Sequence, residues 1–132
     1  MAEKYYGFAS SSGGINTLLA GVWVGPTGVR YVGPVQGEPN LNNEPTATRA
    51  TEGRIFTWTH ITAVDFDYLY DLAGGDSALF AYAKVRAKKW GKEQWYDWDC
   101  MLIRPDRGEF WRRAGKNIIL EVREMKNPVL VE

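Results

Sequence analysis

Apolar and polar side chains alternate with a period of two over three segments in the second half of the chain. These segments are residues 79–88, 94–104 and 117–125, and each puts mainly apolar side chains on one face and mainly charged or bulky side chains on the other. Successive side chains of a β-strand point to opposite faces, so this alternation predicts three half-buried strands.

Two earlier regions add further predicted strands. Residues 54–60 form a strand candidate in which Phe56 and Trp58 share one face. Residues 15–24 and 29–32 are apolar and separated by Gly-Pro-Thr-Gly, which predicts a hairpin.

A single α-helix is predicted over about residues 62–73. Thr62 and Asp65 form a partial capping pattern at its start, and Gly74 and Gly75 end it. Four apolar side chains recur at helical spacing and form one stripe: Phe66, Leu69, Leu72 and Ala73. The predicted fold is therefore mainly β, a β-sandwich or barrel with one short helix between strands.

The chain length of 132 residues fits one domain spanning residues 1–132. Residues 1–14 end in serines and glycines and predict a flexible N-terminal arm. Residues 34–52 contain three prolines and few large apolar side chains, which predicts a long loop that either binds something or lies disordered on the surface. Residues 126–132 are a C-terminal tail that can dock on a neighbour.

Charge and composition exclude several protein classes. Sixteen Lys and Arg balance sixteen Asp and Glu, so the chain lacks the overall basic excess of a dedicated duplex-binding protein, although a local basic patch stays possible. One cysteine cannot form an intramolecular disulfide. The sequence shows neither a signal peptide nor an apolar run long enough to span a membrane, and we expect synthesis in a cytoplasm without export.

Charged side chains on two of the alternating strands are predicted to pair. If residues 90–93 form a hairpin loop, the antiparallel register places Arg86 opposite Asp97 and Lys84 opposite Asp99. The alternative is that Asp97 and Asp99 are a carboxylate pair for glycoside hydrolysis. That chemistry needs one protonated carboxyl, whereas neighbouring bases keep both ionised, so the sequence favours cross-strand ion pairs.

No catalytic, cofactor-binding or metal-binding residues are predicted. His60 is the single histidine and has no nucleophile marked around it, so it is interpreted as a polar side chain at an element boundary. Cys100 lies mid-strand on the face predicted to be buried. Sets of His, Cys or carboxylate ligands at metal-binding spacings are absent from the sequence, and we expect no enzyme activity and no cofactor.

Aromatic residues make up 14% of the chain, including six Trp, which is more than one small core needs. Trp23, Trp90, Trp95 and Trp111 are candidates for exposure, and the surplus predicts a second surface that a partner buries. The candidate assembly residues lie in the arm, the loop and among these tryptophans: Tyr5, Tyr6, Pro39, Asn40, Leu41, Pro45, Trp90, Trp95 and Trp111.

The layout over about residues 54–125 resembles tail-tube-type structural proteins of tailed bacteriophages. The resemblance rests on the order of five segments, namely Trp58 to Thr62, Phe66 to Leu72, Val85-Arg86, Trp95 to Pro105 and Asn117 to Glu124. It implies a β-sandwich or barrel flanked by one helix that assembles as a homohexameric ring.

In that family the rings stack into a tube, and DNA passes through it without sequence-specific binding. The implied partners are further copies of this chain and other tail proteins, and the implied location is the virion tail, assembled in the host cytoplasm. The arm and the loop at residues 37–51 would then form contacts within or between rings. In one departure from the family, a face lining such a tube would be expected to repel DNA, yet Lys84 and Arg86 are basic.

Two other functions stay open on the sequence alone. The first is a carbohydrate-binding module that uses exposed Trp residues. The second is a single-stranded nucleic-acid binder, in which the basic run at residues 84–89 and Trp90 would form an aromatic and basic groove.

Overall fold

A computed structural model gives the fold, and it describes residues 5–13, 15, 26–33, 35–36, 41–42, 47–49, 51–89, 91–105, 109–111 and 114–132. The strands in this part of the chain are β1 (Gly7–Ser10), β2 (Gly28–Val32), β3 (Val35–Gln36), β4 (Ala47–Arg49), β5 (Glu52–Thr62), β6 (Phe80–Lys88), β7 (Trp95–Ile103), β8 (Glu109–Trp111) and β9 (Ala114–Leu130). Helix α1 (Ala63–Leu72) and a 3₁₀ turn (Gly75–Ser77) lie between β5 and β6. The prediction of a mainly β protein with one helix is confirmed.

Seven of these strands form one antiparallel sheet in the order β1-β6-β7-β9-β5-β2, with β8 paired to the start of β9. Strands β3 and β4 form a separate two-stranded sheet. Closure of the large sheet into a sandwich or a barrel stays a prediction.

The large sheet is strongly curved. Strand β1 is four positions away from β5, about 19 Å in a flat sheet with a spacing of about 4.8 Å. Nevertheless the Phe8 ring of β1 lies 5.4 Å from the Phe56 ring of β5 and 6.4 Å from the Trp58 ring, measured between centroids. The sheet therefore wraps around these aromatic side chains, which form the centre of the core.

Irregular pairing in β9 contributes to this curvature. Two register shifts between β7 and β9 each place three residues of β9 against two of β7. Glu124 and Asn127 adopt left-handed φ angles of 54° and 53° within the shifted stretches. An extra residue of this kind bends a strand and increases its twist, so β9 can follow a curved path through the middle of the sheet.

Helix α1 fills the concave side of the sheet. Its Thr62 N-cap accepts a hydrogen bond from the Asp65 N–H at 3.3 Å, and Phe66, Leu69 and Ala73 are fully buried. The Tyr68 hydroxyl donates to the Phe8 carbonyl at 3.1 Å, which ties the helix to β1. The predicted apolar stripe thus seals the core, with Leu72 half-buried beside it.

The Asp65 carboxyl is an exception within this buried helix face. It is 0% exposed, and neither of its oxygens has a hydrogen-bond partner. Burial raises the pKa of Asp65, and the nearby Thr62 hydroxyl lowers it by less. The sequence predicted a negative charge favourable to the helix N-terminus, whereas the fold buries that carboxyl with no hydrogen-bond partner for either oxygen.

Asp65→Asn is therefore expected to raise the free energy of unfolding at pH 7 by about 1–3 kcal/mol. Because the pKa of the folded state lies above that of the unfolded state, the wild-type protein loses stability as pH rises from the unfolded carboxyl pKa of about 3.9 through the raised folded pKa. The advantage of Asn should therefore shrink as the pH falls through the folded pKa and be lost below about 3.9. Urea unfolding of the wild-type protein and of Asp65→Asn at pH values from below 4 to 7 measures this difference in stability. Asp67→Asn, on the exposed face of α1, is the control. A gap that does not depend on pH would contradict this account.

Gly53 in β5 allows a close approach between β5 and β9. A Cβ atom at this position would overlap the Val122 carbonyl oxygen, which belongs to the backbone and cannot move aside cheaply. Gly53→Ala should therefore lower the free energy of unfolding by about 1–3 kcal/mol. Gly28→Ala is the matched control, since a Cβ there meets nothing within 4 Å; equal effects in urea unfolding would show that the contact is unimportant.

Three boundary predictions need correction. The N-terminal arm predicted at residues 1–14 contains strand β1, in which Phe8 is 0% exposed, so it is not flexible there. The loop predicted at residues 34–52 contains the paired strands β3 and β4 and the first residue of β5. The tail predicted at residues 126–132 continues β9 as far as Leu130 and pairs with β7.

The hairpin predicted from residues 15–24 and 29–32 is described only in part. Residues 29–32 are confirmed as a strand, and they pair with β5. Most of the first predicted strand, residues 16–24, lies outside the described residues.

Candidate functional site

The β6–β7 hairpin has the predicted register, with Arg86 opposite Asp97 and Lys84 opposite Asp99. The Arg86 guanidinium makes a two-point ion pair, Nε to Oδ1 at 2.7 Å and Nη2 to Oδ2 at 3.0 Å, and Arg86 is only 7% exposed. This geometry uses both Asp97 oxygens in a structural contact.

The Lys84 and Asp99 pair is looser than predicted. These residues face each other, yet no nitrogen–oxygen contact within 4.0 Å joins them. Asp99 Oδ2 instead accepts a hydrogen bond from the Asn127 side chain at 3.1 Å. The Asn127 amide comes from the bulged end of β9, which the sequence did not place beside β7.

The other candidates for chemistry have the surroundings expected of structural residues. Cys100 is buried, and burial together with the Asp99 charge raises the pKa of its thiol to about 12, so it is protonated at neutral pH. His60 is exposed on β5 and lies opposite Lys116. Within the described ranges, no group of three or more His, Cys, Asp or Glu could hold a metal ion, and no helix is long and apolar enough to cross a membrane.

The outer face of the sheet carries an exposed aromatic pair at one edge. Residues 80–82 pair with β7 on one side of β6. On the other side β1 pairs only with residues 83–86, so no strand in the described part of the chain lies there beside residues 80–82. Tyr82 is 62% exposed and Phe80 44%, and their rings contact edge to face at 6.1 Å. The neighbouring Leu79 side chain is also exposed. We call residues 79–82 the open edge.

A second feature is a cavity of about 340 Å³ between β2, β5 and the β6–β7 hairpin loop. We call it the basic pocket. Its aromatic and charged lining side chains are Tyr6, Tyr31, Arg54, Lys88, Lys89, Lys92 and Glu93.

Arg54 forms the inner wall of the basic pocket and is 3% exposed. Its guanidinium donates to the Gly53 carbonyl at 2.8 Å, the Lys88 carbonyl at 2.8 Å and Glu52 Oε1 at 3.1 Å. It also lies 4.8 Å from the centre of the Tyr31 ring. Arg54 thus connects β5 to β6, which are not neighbours in the sheet, and fixes a positive charge below the cavity.

The hairpin loop supplies the outer cations of the basic pocket. Lys88 Nζ lies 3.3 Å from Glu93, but both side chains are solvent-accessible, so this pair contributes little. Lys89 Nζ lies 5.9 Å from the Tyr96 ring, and Lys88 Nζ lies 5.4 Å from the Trp95 ring. In the described part of the chain, no carboxylate lies within 4.0 Å of the Lys89 ammonium.

An aromatic cluster supports the pocket from behind. The Tyr6 ring contacts those of Tyr5, Phe56 and Trp95 at centroid distances of 5.3, 5.3 and 5.0 Å. Burial raises the pKa of Tyr6, more than the positive charges of Lys88 and Arg54 lower it. The Tyr6 hydroxyl is therefore neutral and can donate a hydrogen bond.

The structure brings together three of the nine candidate assembly residues in this cluster, where Tyr6 and Trp95 are half-buried and Tyr5 is 38% exposed. Leu41 is exposed. Of the others, Pro39, Asn40, Pro45 and Trp90 lie outside the described residues, and Trp111 is described only as a backbone position in β8. Trp58 and Trp98 are core residues.

Sequence reasoning missed Arg54 and the open edge. The signal for Arg54 was present, because it has the same strand parity as Phe56 and Trp58 and therefore faces inward with them. The open edge carried no sequence signal, because it depends on where β1 stops. Comparison of the chain with protein-family models, curated proteins and solved structures found no match.

Proposed function

We propose that this chain is a structural subunit of a bacteriophage tail that assembles with copies of itself into stacked six-membered rings. In such a tube the rings enclose a conduit for DNA, and the subunit performs no catalysis. The observation that carries the proposal is the open edge, a stretch of β6 that carries exposed aromatic side chains and has no described strand on the side opposite β7.

An edge of this kind favours association. Free strand edges with apolar side chains pair readily with other chains, and monomeric proteins usually protect them with charges, prolines or covering loops. Here the side chains at the edge are Leu79, Phe80 and Tyr82 instead. A ring uses head-to-tail contacts, in which the edge of one subunit meets a different surface of the next, and closure leaves no edge free.

The overall layout supports the same proposal. The resemblance to tail-tube-type proteins implies a mainly β fold with one helix, and this chain has that fold. Of the two basic residues that departed from the family pattern, Arg86 is neutralised by its ion pair with Asp97, and Lys84 faces the Asp99 carboxylate without a close contact. A face with matched charges does not hold DNA strongly, which suits a conduit.

Tyr82→Glu tests the contribution of the open edge. A charged side chain at an unpaired edge opposes strand pairing, so this variant should remain folded and elute as a monomer in size-exclusion chromatography while the wild-type chain elutes as an oligomer. Val64→Glu is the matched control, since Val64 is an exposed apolar residue on α1 and the change in charge is identical. Assembly by both variants, or its loss in both, would contradict a specific role for the edge.

A further inference from the structure

The basic pocket has the features of a ligand site, and it shares no residue with the open edge. Its volume of about 340 Å³ lies at the lower end of the roughly 300–1,000 Å³ range of small-molecule sites. Four cationic side chains line it, Arg54, Lys88, Lys89 and Lys92, whereas the nearby carboxylates are Glu52 and Glu93. The pocket thus concentrates positive charge in a chain whose formal net charge is zero.

We propose that the basic pocket binds the phosphate group and base of a nucleotide unit, either free or within a single-stranded nucleic acid. Lysine ammonium groups are donors that match the several acceptor oxygens of a phosphate, and the buried Arg54 guanidinium adds a fixed positive charge beneath them. The rings of Tyr6 and Tyr31 line the same cavity and provide surfaces on which a base can stack. A simple carboxylate would use the cations but not the rings.

The arrangement separates a fixed part of the site from an adjustable part. Arg54 is held by three hydrogen bonds and by the Tyr31 ring, so its position is set before a ligand arrives. Lys89 and Lys92 are exposed on the hairpin loop, whose turn is closed by a 2.9 Å hydrogen bond from the Lys92 N–H to the Lys89 carbonyl. These two lysines can reorient towards a phosphate without disturbing the sheet.

This pocket differs from the nucleic-acid groove that the sequence suggested. That groove combined the whole basic run at residues 84–89 with Trp90. In the structure Lys84 and Arg86 lie on the outer face of β6 opposite carboxylates, whereas Lys88 and Lys89 lie at the pocket with Arg54. Binding is therefore expected at one end of the sheet and not along β6.

The test measures binding of a fluorescently labelled, single-stranded oligothymidine to the full chain by anisotropy at low salt, with thymidine monophosphate and inorganic phosphate as competitors. Lys89→Gln and Lys92→Gln should each weaken binding about three- to tenfold and should each lower the slope of log K against log salt by about 0.7. Lys126→Gln, an exposed lysine on β9 away from the pocket, carries the same charge change and should leave affinity unchanged within twofold.

Each outcome has a defined meaning. Competition by the mononucleotide assigns the site to a nucleotide unit, and binding of the strand without such competition assigns it to nucleic acid; both support the proposal. Equal weakening by Lys126→Gln and the two pocket variants would show attraction by overall charge only and would overturn it. Inorganic phosphate that competes as well as the mononucleotide would also overturn it, because the rings would then contribute nothing. Absence of binding to all three probes would do the same.

Discussion

Phe8→Ala is expected to lower the free energy of unfolding by about 3–5 kcal/mol, a large share of the stability of a domain of this size. Phe8 is 0% exposed and contacts the Phe56 and Trp58 rings across the concave side of the sheet. Its removal leaves a cavity at the point where β1, β5 and α1 meet. Urea unfolding followed by tryptophan fluorescence measures the change.

Phe80→Ala provides the control for Phe8→Ala because the substitution is the same and Phe80 is 44% exposed. Phe80→Ala should lower the free energy of unfolding by about 1 kcal/mol or less when unfolding is measured on the dissociated chain. If the two variants lost equal stability, or if Phe8→Ala were silent, the segment before residue 11 would not belong to the core, and the curvature inferred for the sheet would be wrong.

Arg86→Glu is expected to have the second largest effect. Breaking a buried ion pair by removing one partner costs about 3–5 kcal/mol. For Arg86→Glu the decrease in the free energy of unfolding should be about 3 kcal/mol or somewhat less. The Asp97 side chain is 30% exposed, so water screens the charge that remains. Arg86→Glu also places two carboxylates opposite each other.

The double variant Arg86→Glu, Asp97→Arg restores opposite charges in the reverse order and should recover part of the lost stability, since a guanidinium can again make a two-point contact. Lys84→Glu is a control on the same strand and face. It puts a carboxylate opposite Asp99, but no close ion pair is broken, so its cost should stay below about 1 kcal/mol. No recovery in the double variant would contradict the paired register.

The parts of the fold that sequence predicts well are those with a clear local period. Alternation over β6 and β7 predicted their register and the Arg86–Asp97 contact, and the apolar stripe predicted α1. In these elements each side chain is assigned to a face by its neighbours along the chain, so local pattern and tertiary packing agree.

The parts that sequence predicts poorly depend on distant pairing. Strand β1 has four residues next to a Ser- and Gly-rich turn, and only its pairing with β6 and the burial of Phe8 make it a strand. The end of β9 was predicted as a tail because it contains Pro128 and only a short apolar set after it. In the structure the strand continues through two residues with positive φ, Glu124 and Asn127, which the sequence pattern does not reveal. A bulge shifts the period by one residue, so the same strand reads as two unrelated segments.

The basic pocket could not be predicted from the sequence either, because it also depends on distant pairing. Its residues come from the segment before β1, from β2 and β5, and from the end of β6 and the β6–β7 loop, and the curvature of the sheet brings them together. Arg54 alternates along β5 with the buried residues Phe56 and Trp58, which places it on the inner face of the sheet. No local pattern, however, shows that this face contacts Lys88. A site whose residues are brought together by the curvature of a sheet can be recognised only once the long-range strand pairing is known.

The most direct test of self-assembly is the molar mass of the purified wild-type chain, measured by light scattering after size-exclusion chromatography over a range of concentrations. We expect a closed oligomer, with six times the 14.9 kDa mass of one chain as the value for the ring. A mass of one chain at every concentration would contradict it.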